Sequence, residues 1–587
     1  MSITYNYIMQ SRTFGWIQNP GKFENLQLAV QALDAKSPTY DSLKNSWIQR
    51  YIAFPAQKNT LQRKLDSSES TFTYKELVGT NRDKTGASAK TRQESVADGL
   101  LRVAITPQRY QVNHKHWIDT WSADGFLRWA VSLGFFKYNR EHDSFTITSF
   151  GRQFSRAEQN SQKYIDILTA AMMSYAPATR ILALLSDGNE HTKFDLGSHL
   201  GFIGEAGFTS YDENLMLEWY QQASDSEKKD IRANTEGTSD KYARGIVNWL
   251  IGLRLAKRID NDSDTVFPHY QITAKGISSL TSSTGHGGHP RQAKRVLWES
   301  LGTAIPNKDY IRTRRARILV LLGNSHSLRS IMDELNSQGF NDGAEIIKSD
   351  VRGLINCGIR IEHSDDYSRL VLKDLLEPMD IPAINVTEKI KAQAFSDEKN
   401  TILERTSLDE KYYALLDYTQ DGVHKSRDLE ELTAEFFKNV YGLKAFHLGG
   451  GRRPDVIAYN HNFGLIIDTK AYINGYGKNI KQADEMLRYV QDNQRRSTQR
   501  NHTAWWDKFE YDDIAKDQYY FVWISGTFTA NFAEQIGYVA RESGSTGGAL
   551  TVKEMLIGGD LIQKGELSVD ELPSRINNQE IILSQRQ

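Results

Sequence analysis

The stretch GGGRRPDVIAYNHNFGLIIDTKAY, residues 449–472, decides how the last third of the chain is built. Its apolar runs, Val456 to Tyr459 and Phe463 to Asp468, read as adjacent strands. Pro454-Asp455 opens the first strand, and Asp468-Thr469-Lys470 ends the second. Successive side chains of a strand alternate between faces, so Asp468 and Lys470 stand on the same side.

That pattern is the PD-(D/E)xK arrangement of nucleases. Two carboxylates supply hard oxygen ligands for Mg²⁺ and leave positions for water and phosphate. A lysine beside them orients the water and offsets charge developing on phosphorus. The acid-x-Lys triplet alone is weak, because Glu227-Lys229, Asp397-Lys399 and Asp409-Lys411 repeat it in polar helical patterns. What distinguishes Asp468-Lys470 is the apolar run Leu465-Ile466-Ile467 before it and the Pro454-Asp455 strand upstream. A carboxylate cluster beside an apolar core is costly unless cations compensate it. A structural Asp468-Lys470 pair is the competing reading. Glu435, in the helical pattern LEELTAEFFKNV, is the candidate for a further acid, with Glu430 and Glu431 as competitors and a solvated helix face as the plain alternative.

Around this stretch lie helical patterns from about Glu388 to Tyr418 and from Arg427 to Tyr441, a helix near Ile480 to Asn493, and a strand at Tyr519 to Ile524. Strands alternating with helices predict an α/β domain with a mixed central sheet over 388–587. Pro378 and Pro382 interrupt the pattern upstream and predict a linker over 374–387.

The first two thirds contain internal repeats. Residues 124–151, DGFLRWAVSLGFFKYNREHDSFTITSFG, read as an amphipathic helix that stops at a glycine and feeds two short strands. A second copy begins at Lys241 and ends in YQITAKG, residues 270–276, matching Phe145-x-Ile147-Thr148-x-x-Gly151 position by position. A looser third copy spans Glu345 to Leu372. Helices followed by a β-hairpin, three times over, predict a mainly α region of three winged helix-turn-helix-like subdomains, at 1–160, 161–290 and 291–373. Such a helix fits the major groove of DNA, with the hairpin along the flanking phosphates; modules that merely pack together are the alternative. Residues 291–317 carry eight Lys/Arg against Glu299 and Asp309, and read as a phosphate-neutralising patch or an ordinary solvated face.

The 587 residues suggest about three to five folded units. Hydrophobic residues at 39% and charged residues at 25% exclude a disordered chain. Lys+Arg 72 against Asp+Glu 73 gives no overall footprint for nucleic acid, but the balance is split at the linker. Residues 388–587 hold 25 Lys+Arg and 30 Asp+Glu, which leaves the positive excess in the first 387. The single cysteine, Cys357, excludes an intrachain disulfide and a cysteine-rich zinc site, and its apolar setting predicts an inert buried thiol. No apolar run approaches the ~20 residues that span a bilayer, and the N-terminus lacks a leader pattern, so the expectation is a cytoplasmic protein with no membrane partner.

The motifs HLGGGRRPD (447–455), DTKAYINGY (468–476) and QADEMLRYV (482–490) resemble the cleavage domain of the FokI family of type IIS restriction endonucleases. RTFGWIQNPGKFENL (12–26), TFTYKELVGT (71–80), WSADGFLRWA (121–130), TKFDLG (192–197), SDKYAR (239–244) and YIRTRRARIL (310–319) resemble its recognition domain in the same order. The resemblance implies a type II site-specific deoxyribonuclease that cuts both strands at a fixed distance outside an asymmetric site, GGATG or close to it. It implies Asp455, Asp468 and Lys470 as the catalytic triad, with Asp455, Asp468 and the Thr469 carbonyl holding Mg²⁺. Asp484 and Arg488 match the pair through which two nuclease domains dimerise; an intrahelical ion pair is the alternative at this spacing. Gln18, Asn19, Arg92, Trp121, Glu236 and Lys241 fall at or near positions that face double-stranded DNA, although Trp121 reads equally as core. Residues 233–236 are Ala-Asn-Thr-Glu where the family has Asn-Asn-Trp-Glu, and 80–93 align only across a gap. No Asn-Pro-Pro-Tyr or Asp-Pro-Pro-Tyr motif occurs, so a protective methyltransferase is expected as a separate protein. Two other readings remain: a DNA-binding regulator with a non-catalytic C-terminal module, and a repair or junction nuclease with the same core.

Overall fold

The computed structural model describes residues 14–584 except 18–21, 84, 89–95, 106–108, 113–114, 119–120, 260–265, 286–290, 303–307, 325, 385, 423–424, 473–474, 511–513 and 530. Gln18, Asn19 and Arg92 therefore lie outside the described residues.

Each predicted repeat is a helix followed by an antiparallel hairpin. In the first, Thr71–Thr73 (β1) precedes a small ladder of Arg109–Val112 (β2) with Lys115–Ile118 (β3), then helix Trp121–Ser132 (α1), Phe136–Asn139 (β4) and Ser144–Ile147 (β5). β1 joins the hairpin as a third strand, in the order β1-β5-β4. In the second, a helical pair, Glu213–Gln222 (α2) and Asp225–Ala233 (α3), leads into Thr238–Gly252 (α4), Ala256–Ile259 (β6) and His269–Ile272 (β7). In the third, Lys308–Leu321 (α5) precedes Ala344–Asn356 (α6), Ile361–His363 (β8) and Leu370–Leu372 (β9).

The repeated Thr-x-x-Gly has a local cause. Thr148 and Thr273 cap the helices after their hairpins, each hydroxyl accepting from the backbone N–H of the glycine three residues on, at 2.9 and 3.1 Å. Both glycines press against backbone: a Cβ on Gly151 would sit 2.2 Å from the Phe135 carbonyl, and one on Gly276 would sit 2.0 Å from that of Leu255. Threonine closes the hairpin onto the helix, and only glycine permits that approach.

In the basic segment 291–317, Lys294, Arg312, Arg314 and Arg315 are spent inside the fold, and of its described cations only Arg291 is exposed. Lys294 is buried, donating to the Met173 carbonyl at 2.8 Å and to Thr179 Oγ1 at 3.0 Å. Arg312, wholly buried in α5, donates to the Gly302 carbonyl and lies over the Trp298 ring. Arg314 bonds Asp350 at 2.6 Å and Asp342 at 2.8 Å, while Arg315 bonds Asp350 at 2.7 Å and Glu205. These cations hold the third subdomain to itself and to the second. Cys357 is buried, and burial pushes its thiol up, as an inert sulfur requires.

Within the predicted linker, the backbone of Leu375–Glu377 bridges to Lys294, and the side chains of Glu377 and Asp380 pair with Arg295 and Arg140. Helix Val386–Arg405 (α7) begins inside that segment, and the long pattern to Tyr418 is broken after Arg405, where Asp409 caps a separate short turn.

The C-terminal domain is a five-stranded mixed sheet of Lys444–His447 (β10), Val456–Tyr459 (β11), Gly464–Lys470 (β12), Tyr519–Ser525 (β13) and Gly547–Thr551 (β14), in that order. β10-β11-β12 are antiparallel, and β12-β13-β14 parallel. Helix Ser426–Asn439 (α8) covers one face through Leu429, Leu432 and Phe436, against Val456, Leu465, Ile467 and Val522. Helices Ile480–Arg495 (α9) and Phe532–Ser543 (α10) cover the other, against Ile457, Ile466, Phe521 and Trp523. Both faces are buried, so β12 and β13 read as continuous apolar runs. No described helix is long and apolar enough to cross a membrane.

The α2–α3 pair rests on the C-terminal domain. Lys438 pairs with Glu218, Arg427 with Asp230 at 3.4 Å, and Arg453 with Glu227 at 3.8 Å. Beneath them, Tyr211 donates to Glu431 at 2.6 Å and Tyr418 to Thr209 at 2.7 Å, all four residues being buried.

Candidate active site

Pairing of β11 with β12 brings the acids together. Val456 lies opposite Ile467, so Asp455, one residue earlier, stands beside Asp468, one residue later. The Thr469 N–H donates to Asp455 Oδ2 at 2.7 Å, and its hydroxyl to the same oxygen at 3.2 Å. Lys470 Nζ lies 2.7 Å from Asp468 Oδ2. Before Pro454, the chain turns through Gly449 (φ 48°), Gly450 (φ 83°) and Arg452 (φ 66°), and the Leu448 N–H returns to the Asp455 carbonyl at 2.8 Å. The glycines meet that left-handed backbone without steric cost.

Negative charge exceeds positive charge here. Burial, then Asp468, then Glu430 push the Asp455 carboxyl well above the carboxylate range, against the opposing pull of Lys470 and the Thr469 N–H. Burial alone would lower Lys470, but Asp468 and Asp455 outweigh it and hold the ammonium above its ordinary value. Carboxylates crowded against one lysine form a site that a divalent cation would relieve. Among the described residues no three His, Cys, Asp or Glu side chains form a ready-made cation cage, so water and substrate oxygens would complete the shell.

Of the acids weighed on this helix, Glu430 is the one whose charge raises the Asp455 carboxyl. Glu435 is fully buried, paired with Lys411 at 2.6 Å and accepting from the Tyr412 hydroxyl at 3.3 Å. Five residues along a helix turn the side chain by about 140°, so the two glutamates serve different faces of α8. Glu430 meets His447 Nε2 at 2.9 Å, and His447 Nδ1 lies 4.0 Å from Glu431, which Arg427 and Tyr211 fix at 2.8 and 2.6 Å. His447 escaped the sequence reading because only the β10–β11 register sets it opposite Val456. Glu430, His447, Arg427 and Arg453 line a cavity of about 350 Å³ between the α2–α3 pair and this site.

The remaining candidates scatter. Glu236 is 3% exposed and ion-paired to Lys193 and Arg244, both at 2.7 Å. Burial raises its carboxyl, but Arg244 and Lys193 outweigh this and hold it low, leaving it committed inside the second subdomain instead of open to a base edge. Lys241 lies half-buried in the first turns of α4. Trp121 begins α1, with its side chain outside the described part. On α9, Asp484 is exposed and accepts from the Tyr538 hydroxyl at 3.1 Å. Arg488 lies 5.5 Å over the Tyr489 ring and makes no ion pair with Asp484, so the intrahelical alternative is not what the structure holds.

Wing-bearing helical modules upstream of an α/β domain with paired strand-end carboxylates define a modular site-specific deoxyribonuclease. Residues 12–157, 164–279 and 301–366 match, in turn, FokI recognition-domain subdomain 1, FokI recognition-domain subdomain 2 and the FokI D3 domain, and residues 389–583 match the FokI cleavage domain. The chain belongs to the FokI family of type II restriction enzymes. It is 38% identical to the type II restriction enzyme FokI of Planomicrobium okeanokoites, over 98% of this chain and all of that one. It is 28% identical to the type II restriction enzyme StsI of Streptococcus sanguinis, over 88% of this chain and 86% of that one. The solved structure of FokI bound to DNA superposes with a TM-score of 0.84, covering 98% of this chain and 100% of that one, at 38% identity. A second solved structure of the restriction endonuclease FokI gives 0.82, at 37% identity over 97% and 100% of the two chains.

Proposed function

We propose that the protein is a type IIS endonuclease: it binds an asymmetric double-stranded DNA site, GGATG or close to it, and hydrolyses both strands at a fixed distance outside. The observation that carries this reading is the Asp455, Asp468, Lys470 cluster in a domain of its own, downstream of wing-bearing helices. Asp455, Asp468 and the Thr469 carbonyl would hold Mg²⁺, which supplies Lewis-acid polarisation of the phosphate and a more acidic water. Lys470, kept protonated by Asp468 and Asp455, orients the attacking water and offsets negative charge building on the phosphate oxygens. The Thr469 N–H and hydroxyl keep Asp455 in place. Water forms the new P–O bond and gives up a proton to solvent, while the sugar oxygen leaves with the electron pair of the broken P–O bond and takes a proton from solvent to become a hydroxyl.

Among the described residues each chain carries one such cluster and DNA has two strands, so cutting both calls for a second copy through the nuclease domain, with the exposed Asp484 and the half-buried Arg488 as the pair for it. The ion pairs of the α2–α3 helices with Lys438, Arg427 and Arg453 support a resting state in which the nuclease domain is held against the recognition region. Protection of the host's own sites falls to a separate methyltransferase.

The reading is tested by incubating plasmid with Mg²⁺ and either the wild type or Asp455→Ala, then sequencing the fragment ends. Ends at one offset from one site, made by the wild type alone, are expected. Scattered ends would indicate a structure-directed nuclease, and binding without cutting a regulator. Asp484→Ala is expected to raise the protein concentration for half-maximal cutting by about 10-fold or more, with site binding unchanged, because an interfacial charge pair contributes ~1.5 kcal/mol or more. Equal loss of binding and cutting would count against the dimer role.

A further inference from the structure

The segment that joins the recognition region to the nuclease domain lies on the first subdomain as a strap. Its backbone runs beside Lys294, whose N–H donates to the Leu375 carbonyl at 2.7 Å and whose carbonyl accepts from the Glu377 N–H at 2.9 Å. Beyond that bridge two arginines hold the strap by its acids. Arg295 donates to both oxygens of the Glu377 carboxylate, from Nη2 at 2.7 Å and from Nε at 3.0 Å. Arg140, in the turn between β4 and β5, donates to Asp380 Oδ2 at 2.7 Å and to the Asp380 carbonyl at 3.3 Å. Both arginines are set in place from behind. Arg140 is 8% exposed, bonds Glu299 at 2.9 Å and lies over the Trp298 ring. The Arg295 guanidinium fills the space beside Gly134, where a Cβ would come within 2.2 Å of its Cζ. A guanidinium ordered in advance loses little freedom on taking a carboxylate. Under the strap is a cavity of about 390 Å³ lined by Phe136, Tyr138, Pro378 and Met379, and Pro378 and Asp380 are exposed, so the ion pairs do most of the fastening of 378–380. These contacts lie wholly within residues 134–380. The pairs of α2–α3 with Lys438, Arg427 and Arg453 must break for the nuclease domain to reach DNA, whereas those of the strap persist. Past Asp380, Ile384 is buried and α7 begins at Val386, which leaves a short tether.

We propose that Arg140 and Arg295 determine where the cut falls: by pinning Asp380 and Glu377 to the first recognition subdomain, they fix the point from which the nuclease domain is tethered. The proposal rests on the reading above of cutting at a fixed distance. The offset is then measured from the wing of the first subdomain, and the part of the linker before Asp380 adds nothing to the reach. Without the two pins, the backbone bridge at Lys294 still holds the strap as far as Glu377, and residues 378–380 join the tether. Three extended residues span about 10 Å, which is about three base pairs at the ~3.4 Å rise of DNA. A tether let out by that length lets the nuclease domain settle over more than one phosphate on each strand.

The test is to sequence the fragment ends, on both strands, made from plasmid in Mg²⁺ by full-length wild type, Glu377→Gln, Asp380→Asn and the double variant, with metal-free DNA binding and melting temperature measured alongside. The changes are made on the strap, whose acids reach solvent, because Arg140 and Arg295 also hold the subdomain together. The wild type should give one offset on each strand. The double variant should spread its ends over about three further positions, and each single variant over fewer, with site binding and melting temperature at wild-type values. Double-variant ends confined to the wild-type offset overturn the proposal, as do loss of cutting and a spread accompanied by weaker binding or lower melting. A wild type that fails to cut, or whose own ends are scattered, overturns the underlying reading instead.

Discussion

Asp455→Asn is expected to lower cleavage by about 10³-fold or more while leaving site binding within about twofold of the wild type. The asparagine still offers an oxygen to the Thr469 N–H, so the β11–β12 junction survives, but the charge that draws the cation is gone. The stability of the variant should move the other way. In the folded protein the Asp455 carboxyl sits well above its ordinary value because of burial, Asp468 and Glu430. A carboxyl raised on folding is most favourable when protonated, so ionising it costs stability as pH rises through the unfolded value near 4. At neutral pH the wild type bears that cost, and Asp455→Asn should melt no lower than the wild type and above it at low ionic strength. Retained cutting would end the catalytic assignment, and a marked fall in melting temperature would make Asp455 a structural residue.

Asp350→Asn is expected to destabilise the fold by about 1–3 kcal/mol, because it removes the one carboxylate that Arg314 and Arg315 share and leaves each with a single acidic partner. Both guanidiniums are almost fully buried, so Asp342 and Glu205 still balance their charge but no longer fill their donors as charge-assisted bonds. Burial raises Asp350, but Arg314 and Arg315 outweigh it and hold the carboxyl below its ordinary value. A depressed carboxyl stabilises the fold above the unfolded value near 4, and that contribution is lost as pH falls below it toward the folded value. The wild type should therefore lose melting temperature in acid more steeply than Asp350→Asn. Proteolytic susceptibility of residues 301–366 at neutral pH, together with melting from pH 7 to 3, checks both parts; parallel pH curves for the two proteins would refute the network's role.

The geometry of the stretch proposed as catalytic was legible because its cause is local. The apolar run 465–467 and the period of two place Asp468 and Lys470 on one face in any sheet, and Pro454-Asp455 needs only the neighbouring strand to meet them. The wings were legible for a similar reason: Thr148 and Gly151, like Thr273 and Gly276, are three residues apart, and their cap is made within that span. Glu430 could not be separated from Glu435 in this way. Both lie in an amphipathic helix, and only the packing of α8 decides that one meets His447 and the other Lys411. Glu236 has an acidic side chain suited to cytosine, but Lys193, 43 positions away, claims it.

The sequence by itself determined the chemistry available: an acid pair and a lysine at strand ends, helices with wings, and one cysteine without a partner. Tertiary structure alone decided which charges are spent. Arg315 reads as part of a basic patch in the chain, yet it closes on Glu205 across 110 residues and on Asp350 across 35, out of reach of solvent. A side chain's type and its neighbours in sequence set what it can bond. Whether it is free to meet DNA depends on desolvation and on partners brought from far along the chain, and residue order carries no signal for either.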